Sequence, residues 1–516
     1  MTNPHLRPGT VRSFDVPYDY VIVGAGTAGC VLAARLSEDE NVRVLLVEAG
    51  SDTALPEMAI PGAWPSLIGS SADWGGSTVV QGFSGTAIPA PRGRTIGGSS
   101  STNGLNFVRG HRASYDAWVE QGATGWGYDD LLPYFRRSET TDGRDPLIRG
   151  IEGPMTVGPM RDPSPVIVAA LAAAAELGFE AAADINSGLE TGFGLSDGNI
   201  TSGARQSAAD AYLLPVLDRP NLDVVTDALV RRVLVIGGTA TGIEFSHRGE
   251  SRFVRATRDV VLAAGAIGTP QLLMVSGIGP AEHLRDAGVD VVLDLPGVGT
   301  NLHDHPMSTV VYSATADVQF NPGNLYGQGV GLVRTRTDLP GPDLQILLIA
   351  QPYRAQTLVG PDNGYAIGFS AITPFSRGTV RLASADPQAP PLIDPNYLGD
   401  SRDVDVMAAG LRLARSIGRA NALNGWRGDE VQPGGQVALP DDIRAYLQRS
   451  LVVYFHYAGT CRVGIDNLAV VDPELRVRGI VGLRVADASI MPSAVSGNTN
   501  ATVFAIAERA AALIAK

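Results

Sequence analysis

Apolar and polar positions change rhythm several times along this chain, and each change marks an element. Tyr20 to Val23 is a continuous apolar run of strand length, and Ala28 to Leu36 repeats small and aliphatic residues at helical spacing. Val42 to Val47 is a second β-rich run that closes on Glu48-Ala49-Gly50, so residues 19–50 predict a β-α-β unit. A Gly/Pro/Ser-rich, loop-like stretch follows over about 51–105. Residues 163–178 predict a helix with a proline start and a glycine stop, and 206–218 predict another that ends before Arg219-Pro220. Strand runs return at 222–225, 230–236, 242–245 and 260–263, with Gly237-Gly238 placed for a hairpin turn. Residues 306–385 alternate strand-like stretches with Gly and Pro turns, as a separate antiparallel sheet does. A helix is expected over 402–418, a strand at Leu483 to Asp487, and an apolar helix from Ala501 to Ile514. No internal repeat or low-complexity tract interrupts this order.

The closing segments return to the style of the opening, with a β-rich stretch between. Two domains that each draw on several segments explain this: 17–155, 205–305 and 456–516 in one, 156–204 and 306–455 in the other. The fold class expected is α/β plus β, a Rossmann-like domain interleaved with a mainly antiparallel second domain. Composition changes this picture little. The 516 residues carry 40 basic and 53 acidic side chains, a formal charge of −13 that argues against nucleic acid and anionic membranes as partners. No apolar run reaches the roughly 18 residues of a membrane span. Two cysteines, Cys30 and Cys461, make no disulfide framework, and with a polar stretch from Met1 to Pro17 they fit a soluble, cytoplasmic protein.

Candidate chemistry begins at Gly24-Ala25-Gly26-Thr27-Ala28-Gly29. In a Gly-x-Gly-x-x-Gly turn between strand and helix, the first glycine permits the turn and the second lets a pyrophosphate approach the backbone. The third lets helix and strand pack closely. The helix start adds free N–H groups and the positive end of its dipole. Glu48 follows Gly29 by 19 residues, at the end of the second strand, where a carboxylate can accept hydrogen bonds from both ribose hydroxyls. A carboxylate rather than an arginine there argues against a 2′-phosphate. The motif alone leaves NAD and FAD open.

Two more segments carry signals. Residues 91–110 include Arg92, Gly97-Gly98-Ser99-Ser100-Ser101-Thr102-Asn103-Gly104 and Phe107, and residues 264–280 run from Ala264-Gly265 to Ser276-Gly277-Ile278-Gly279-Pro280. With the opening loop, with His456 in Phe455-His456-Tyr457-Ala458-Gly459-Thr460-Cys461, and with Asn498 in Gly497-Asn498-Thr499-Asn500, they resemble the glucose–methanol–choline (GMC) oxidoreductase family over about residues 18–515. The resemblance implies FAD rather than NAD, bound in the nucleotide domain under a β-sheet substrate domain. Carried over by position, it implies Gly24, Gly26, Thr27, Ala28 and Gly29 at the pyrophosphate, Glu48 and Ala49 at the ribose, and Trp74 beside the adenosine half. Arg92, Gly97, Gly98, Asn103, Gly104 and Phe107 would hold pyrophosphate and flavin, with Val230 at adenine, Asp487, Ala488 and Thr499 at the ribityl chain and pyrimidine edge, and Phe455 also at the cofactor. Where some members attach FAD through a histidine, this chain has Thr102, so non-covalent FAD is expected.

A neutral imidazole can take a hydroxyl proton near neutral pH, and an amide N–H can stabilise the alkoxide that develops. His456 is therefore the expected base and Asn498 its partner, in an FAD-dependent oxidation of a small-molecule alcohol to aldehyde or ketone, with oxygen, a quinone or another acceptor taking the electrons. A flavin-bearing lyase of cyanohydrin type on the same fold is the alternative. Other signals weigh less. Gly194-Leu195-Ser196-Asp197-Gly198 matches a hydrolase nucleophile elbow, but polar loop residues precede it and no strand is expected to lead in. His303-Asp304-His305 lacks a third distant ligand, so no metal is expected there and a structural or cofactor-proximal place is. His5, His111, His247 and His283 lie in polar contexts and read as surface.

Overall fold

The computed structural model describes residues 14–189 and 191–516; His5 lies outside them. Two large sheets organise the chain. In the first, Leu222–Val225, Val44–Val47, Tyr18–Val23 and Glu250–Leu262 lie side by side and parallel, and Leu483–Val485 adds a further parallel partner to Glu250–Leu262. Parallel strands are covered on both faces, which is why Val44–Val47 is buried at every position and reads as an unbroken apolar run. The long strand Glu250–Leu262 continues beyond this parallel part into an antiparallel meander with Thr239–His247 and Ala228–Ile236. Gly237 and Gly238 make the expected hairpin turn, with φ of +58° and +79°.

The second sheet is antiparallel throughout. Its order is Arg427–Gln432, Pro306–Ala314, Gly364–Ala371, Leu344–Ile349, Gly327–Val333, Gly192–Leu195, and Val452–Val453 pairs onto Pro306–Ala314. Strand periodicity sorts its side chains: Leu344, Ile346 and Leu348 face the main core, where helix Ser401–Arg419 packs closely enough that Gly410 meets Leu344, while Leu347 and Ile349 face the cavity described below. The fold is thus the α/β plus β class expected.

Local departures have physical causes. The helix expected over 206–218 is instead one π turn, Ala209–Leu213, followed by a 3-10 turn, Leu214–Val216, because Pro215 removes an amide donor. Helices Tyr128–Ser138 and Gly265–Val275 each enclose a proline, Pro133 and Pro270, which hides them in the sequence. A strand, Gly192–Leu195, does lead into Ser196, contrary to expectation; a second short strand, Asp197–Gly198, follows instead of a helix, and Ser196 is buried, so there is no nucleophile elbow.

Helix Thr499–Ile514 is buried along most of its length and packs on Thr27–Leu36 and Tyr128–Ser138. Its Glu508, fully buried, is held by Arg35 at 2.8 Å, Arg137 at 3.2 Å and the Tyr212 hydroxyl at 2.8 Å. A second buried network joins three segments: Arg109 and Arg149 share Glu139, each at 2.6 Å, and Arg149 reaches Asp184 at 2.7 Å and Asp197 at 3.0 Å. Removing one member strands the others without solvent. Arg149→Met is expected to cost about 3–5 kcal/mol in denaturant-unfolding experiments; a loss within experimental error would show that the network is not needed for stability.

Candidate active site

A cavity of about 680 Å3 is lined from both sheets and from the loops at residues 64–106. At its base the three opening glycines meet three different demands. Gly24 has φ +98°, and a Cβ there would stand 2.6 Å from the Ala263 carbonyl oxygen. On Gly29 a Cβ would stand 1.8 Å from the Gly24 carbonyl oxygen, so the helix can lie this close to the turn only with glycine. Gly26 is different: nothing lies nearer to its Cβ position than Gly98 Cα at 4.0 Å, which leaves open space over the start of helix Thr27–Leu36, a start with no side-chain cap on its amides. A second loop closes on the first. The Gly97 N–H donates to the Ala25 carbonyl at 2.7 Å, and a Cβ on Gly98 would stand 2.7 Å from Gly26 Cα. This uncapped, side-chain-free cradle fits a pyrophosphate and therefore a dinucleotide such as FAD.

Of the residues singled out in the sequence, Gly24, Gly26, Thr27, Ala28, Glu48, Ala49, Trp74, Arg92, Gly98, Asn103, Gly104 and Val230 line the cavity. So do Phe455, His456, Asp487, Ala488, Asn498 and Thr499. Gly29 and Gly97 shape the wall from behind. Phe107 is buried with its ring against that of Phe504, centroids 6.2 Å apart.

The two carboxylates at the cradle are tied to the backbone. Glu48 accepts the Ala25 N–H and the Gly50 N–H, both at 2.8 Å, and burial pushes its pKa up against these bonds. Each oxygen keeps a lone pair for a ribose hydroxyl. Asp487 accepts the Gly265 N–H at 2.8 Å and the Thr269 hydroxyl at 2.6 Å, which fixes the turn into helix Gly265–Val275.

His456 and Asn498 meet at this cavity, Asn498 Nδ2 lying 3.2 Å from His456 Nε2. Phe455 before it has φ +64°, an uncommon conformation for a bulky residue and the kind of strain that collects at functional sites. Two side chains that sequence reasoning did not assign to the site set the protonation pattern. Gln345 Nε2 donates to Asn498 Oδ1 at 3.4 Å, which turns the Asn498 amide nitrogen toward His456. With the Asn498 amide in this orientation its N–H donates to His456 Nε2, which leaves the ring proton for Nδ1, 2.8 Å from His305 Nδ1. The pairing of Pro306 with Val453 brings His305 beside His456. Asp304 holds the backbone instead, accepting the His456 N–H at 2.6 Å and the Tyr397 hydroxyl. Burial and the neighbouring His305 push the His456 pKa well below its ordinary value, and burial takes His305 down to about 3.

The remaining candidates are structural. His303 is buried with its pKa pushed well down, and no group of three metal-ligating side chains converges among the described residues. Cys30 and Cys461 are buried thiols, raised by desolvation. His111 is a correction to its surface reading: it is buried, and its ring accepts the Ala113 N–H at 3.2 Å to cap helix Arg112–Glu120.

Comparison with known proteins bears on this site. Residues 18–307 and 374–507 match the two family models described as GMC oxidoreductase. A GMC-type oxidoreductase of Mycobacterium tuberculosis is 41% identical over 97% of this chain and 99% of its own length. Human mitochondrial choline dehydrogenase is 39% identical over 96% of this chain and 89% of its own. Among solved structures, pyridoxine 4-oxidase from Mesorbium loti superposes with a TM-score of 0.93 at 38% identity, covering 96% of this chain and 98% of that one. Aspergillus oryzae formate oxidase, a structure concerned with FAD modification, superposes with a TM-score of 0.88 at 28% identity, over 96% and 98%. No helix among the described residues is long and apolar enough to cross a membrane.

The glycine geometry separates two substitutions. Gly26→Ala, at φ −73° and with open space before it, is expected to fold like the parent and purify without FAD. Gly29→Ala forces backbone apart and is expected to lose about 1–3 kcal/mol or more of stability. Absorbance at 450 nm per protein and thermal midpoints read both, and an FAD-replete Gly26→Ala protein contradicts the cradle.

Proposed function

We propose that this chain, which belongs to the GMC oxidoreductase family, oxidises the CH–OH group of an alcohol to the carbonyl compound, with His456 as the base. Membership makes it an FAD-dependent oxidoreductase; bound FAD supplies the two-electron acceptor that takes the hydride. The residues of the chain supply the rest. The alcohol hydroxyl takes the place of the Asn498 N–H at the single lone pair of His456 Nε2 and donates to it. Asn498 Nδ2 then donates to the substrate oxygen as it gains negative charge. The imidazolium that forms keeps its Nδ1–H on a neutral His305. The reading is supported by the approach of Asn498 Nδ2 to His456 Nε2 at 3.2 Å on the cavity side of the ring.

Pyridoxine 4-oxidase and choline dehydrogenase, named above, support an alcohol as donor. Reoxidation by oxygen releases peroxide, and reoxidation by a quinone or dye does not, so the products identify the acceptor. Cyanohydrin cleavage without flavin bleaching would replace this reading with a lyase.

Three outcomes test it. His456→Ala is expected to keep its FAD and to slow anaerobic flavin reduction by an alcohol by about 100-fold or more; a variant retaining over about a tenth of the parent rate removes His456 as base. The active form of His456 is the unprotonated one and its pKa is depressed, so the reduction rate is expected to hold from alkaline pH down through neutrality and to fall only as pH drops through a value well below 6.5. A limb centred at or above neutrality contradicts this. His305→Ala is expected to lower the limiting rate by about 10–100-fold with little change in KM. His305→Asn, whose amide oxygen can accept the His456 Nδ1–H, is expected to recover part of that rate. Equal losses in both variants would mean that the ring is needed for packing alone.

A further inference from the structure

Four arginines are buried among the described residues. Three of them are ion-paired: Arg109 and Arg149 share Glu139, and Arg415 holds Glu430 at 2.7 Å. The fourth, Arg205, bonds only oxygens that carry no charge. Its Nε donates to the Met58 carbonyl at 2.8 Å, and its Nη1 donates to the Ser100 carbonyl at 3.2 Å and to Asn103 Oδ1 at 2.8 Å. Nη2 is shut away from solvent with no partner. Burial draws the Arg205 pKa down to about 9, with Asp210 opposing the fall, which leaves a cation at neutral pH. Asp210 makes no ion pair with it; that carboxylate accepts the Ser207 N–H at 2.8 Å and the Ser207 hydroxyl at 2.7 Å.

A buried charge costs much less when an opposite charge meets it, so an unmatched one points to a counter-charge supplied from elsewhere. The surroundings of Arg205 show where. It ends the short hairpin of Ile200–Thr201 and Ala204–Arg205 and reaches the back of the loop that walls the cavity. Asn103, which it holds, lines the cavity, and so does Gly104. A Cβ on Gly104 would stand 3.7 Å from Trp64 Nε1, and the Trp64 ring lies 5.8 Å from that of Phe455, the residue before His456. Met58, also held by Arg205, sits in the turn Pro56–Ala59 that leads into Pro61–Leu67, the turn carrying Trp64. Arg205 thus stands behind the wall near the His456 end of the cavity. FAD that receives a hydride gains two electrons and one proton, and so one net negative charge.

We infer that Arg205 is the counter-charge to reduced FAD: from behind Asn103, without touching the cofactor, it stabilises the negative charge that arrives with the hydride. In a site of low dielectric this attraction needs no contact. The inference requires FAD and a hydride; it does not depend on an alcohol as donor or on His456 as base.

The test is the midpoint potential of FAD in the holoenzyme, from reductive titration against a reference dye with no alcohol present. Arg205→Gln removes the charge and keeps an amide donor. It is expected to shift the two-electron equilibrium about tenfold toward oxidised FAD, a fall of about 30 mV. Arg205→Lys keeps the charge without the planar fork, and its equilibrium is expected to stay within about threefold of the parent even where its thermal midpoint drops. An unchanged potential in FAD-loaded Arg205→Gln overturns the inference and leaves Arg205 as a fastener of loops. Equal falls in both variants overturn it too, because they trace the effect to displaced loops. If Arg205→Gln purifies without FAD and Arg205→Lys retains it, the charge serves the pyrophosphate and the assignment to the reduced state fails. Loss of FAD from both variants shows that the fork, not the charge, is what the site needs, and overturns it as well.

Discussion

Two backbone loops from distant parts of the chain touch with no side chain between them, and the shape of the site follows from that contact. Gly98 lies against Gly26, and the Gly97 amide is bonded to the Ala25 carbonyl. The second loop in turn holds the segment that enters the π turn Ala209–Leu213, where the Ala208 N–H donates to Ser100 Oγ at 2.9 Å. A side chain at Gly98, whose Cβ would stand 2.7 Å from Gly26 Cα, would part the loops and move the walls that rest on them. Close packing allows no slack to absorb such a shift.

The chemistry rests on a different economy, a buried row of neutral groups. Gln345, Asn498, His456 and His305 each orient the next, and no member is charged in the resting arrangement. A carboxylate is close at hand in Asp304, yet it takes the backbone N–H of His456 and the Tyr397 hydroxyl, and burial raises it to about 7. An anion bonded to the imidazole would raise its pKa; a second imidazole leaves it low. His456, the proposed base, is therefore unprotonated at neutral pH.

Much of this can be read from residues alone, and what cannot has a common cause. The β-α-β opening is legible because its glycines and its unbroken apolar strand answer local demands. The antiparallel sheet over 306–385 is legible because its turns punctuate it, though its edge strands Gly192–Leu195 and Arg427–Gln432 come from segments too short and irregular to announce themselves. Glu48 is found by spacing. The pairing of His305 with His456 is not, because that contact spans 151 positions and depends on which strands become neighbours, a matter no local periodicity records. At Phe107, a position carried over from a motif, what the structure adds is a ring packed on Phe504.

The order in which these parts leave the ribosome has a consequence. The nucleotide cradle is complete in sequence by Gly98, but its central strand lacks Glu250–Leu262 until the chain is half made, and His456, Asn498 and the helix that buries Glu508 arrive last. A nascent chain therefore makes Tyr18–Val23 well before its parallel partner Glu250–Leu262. Until that strand pairs, the edge of Tyr18–Val23 is open, and an open strand edge is a template for aggregation.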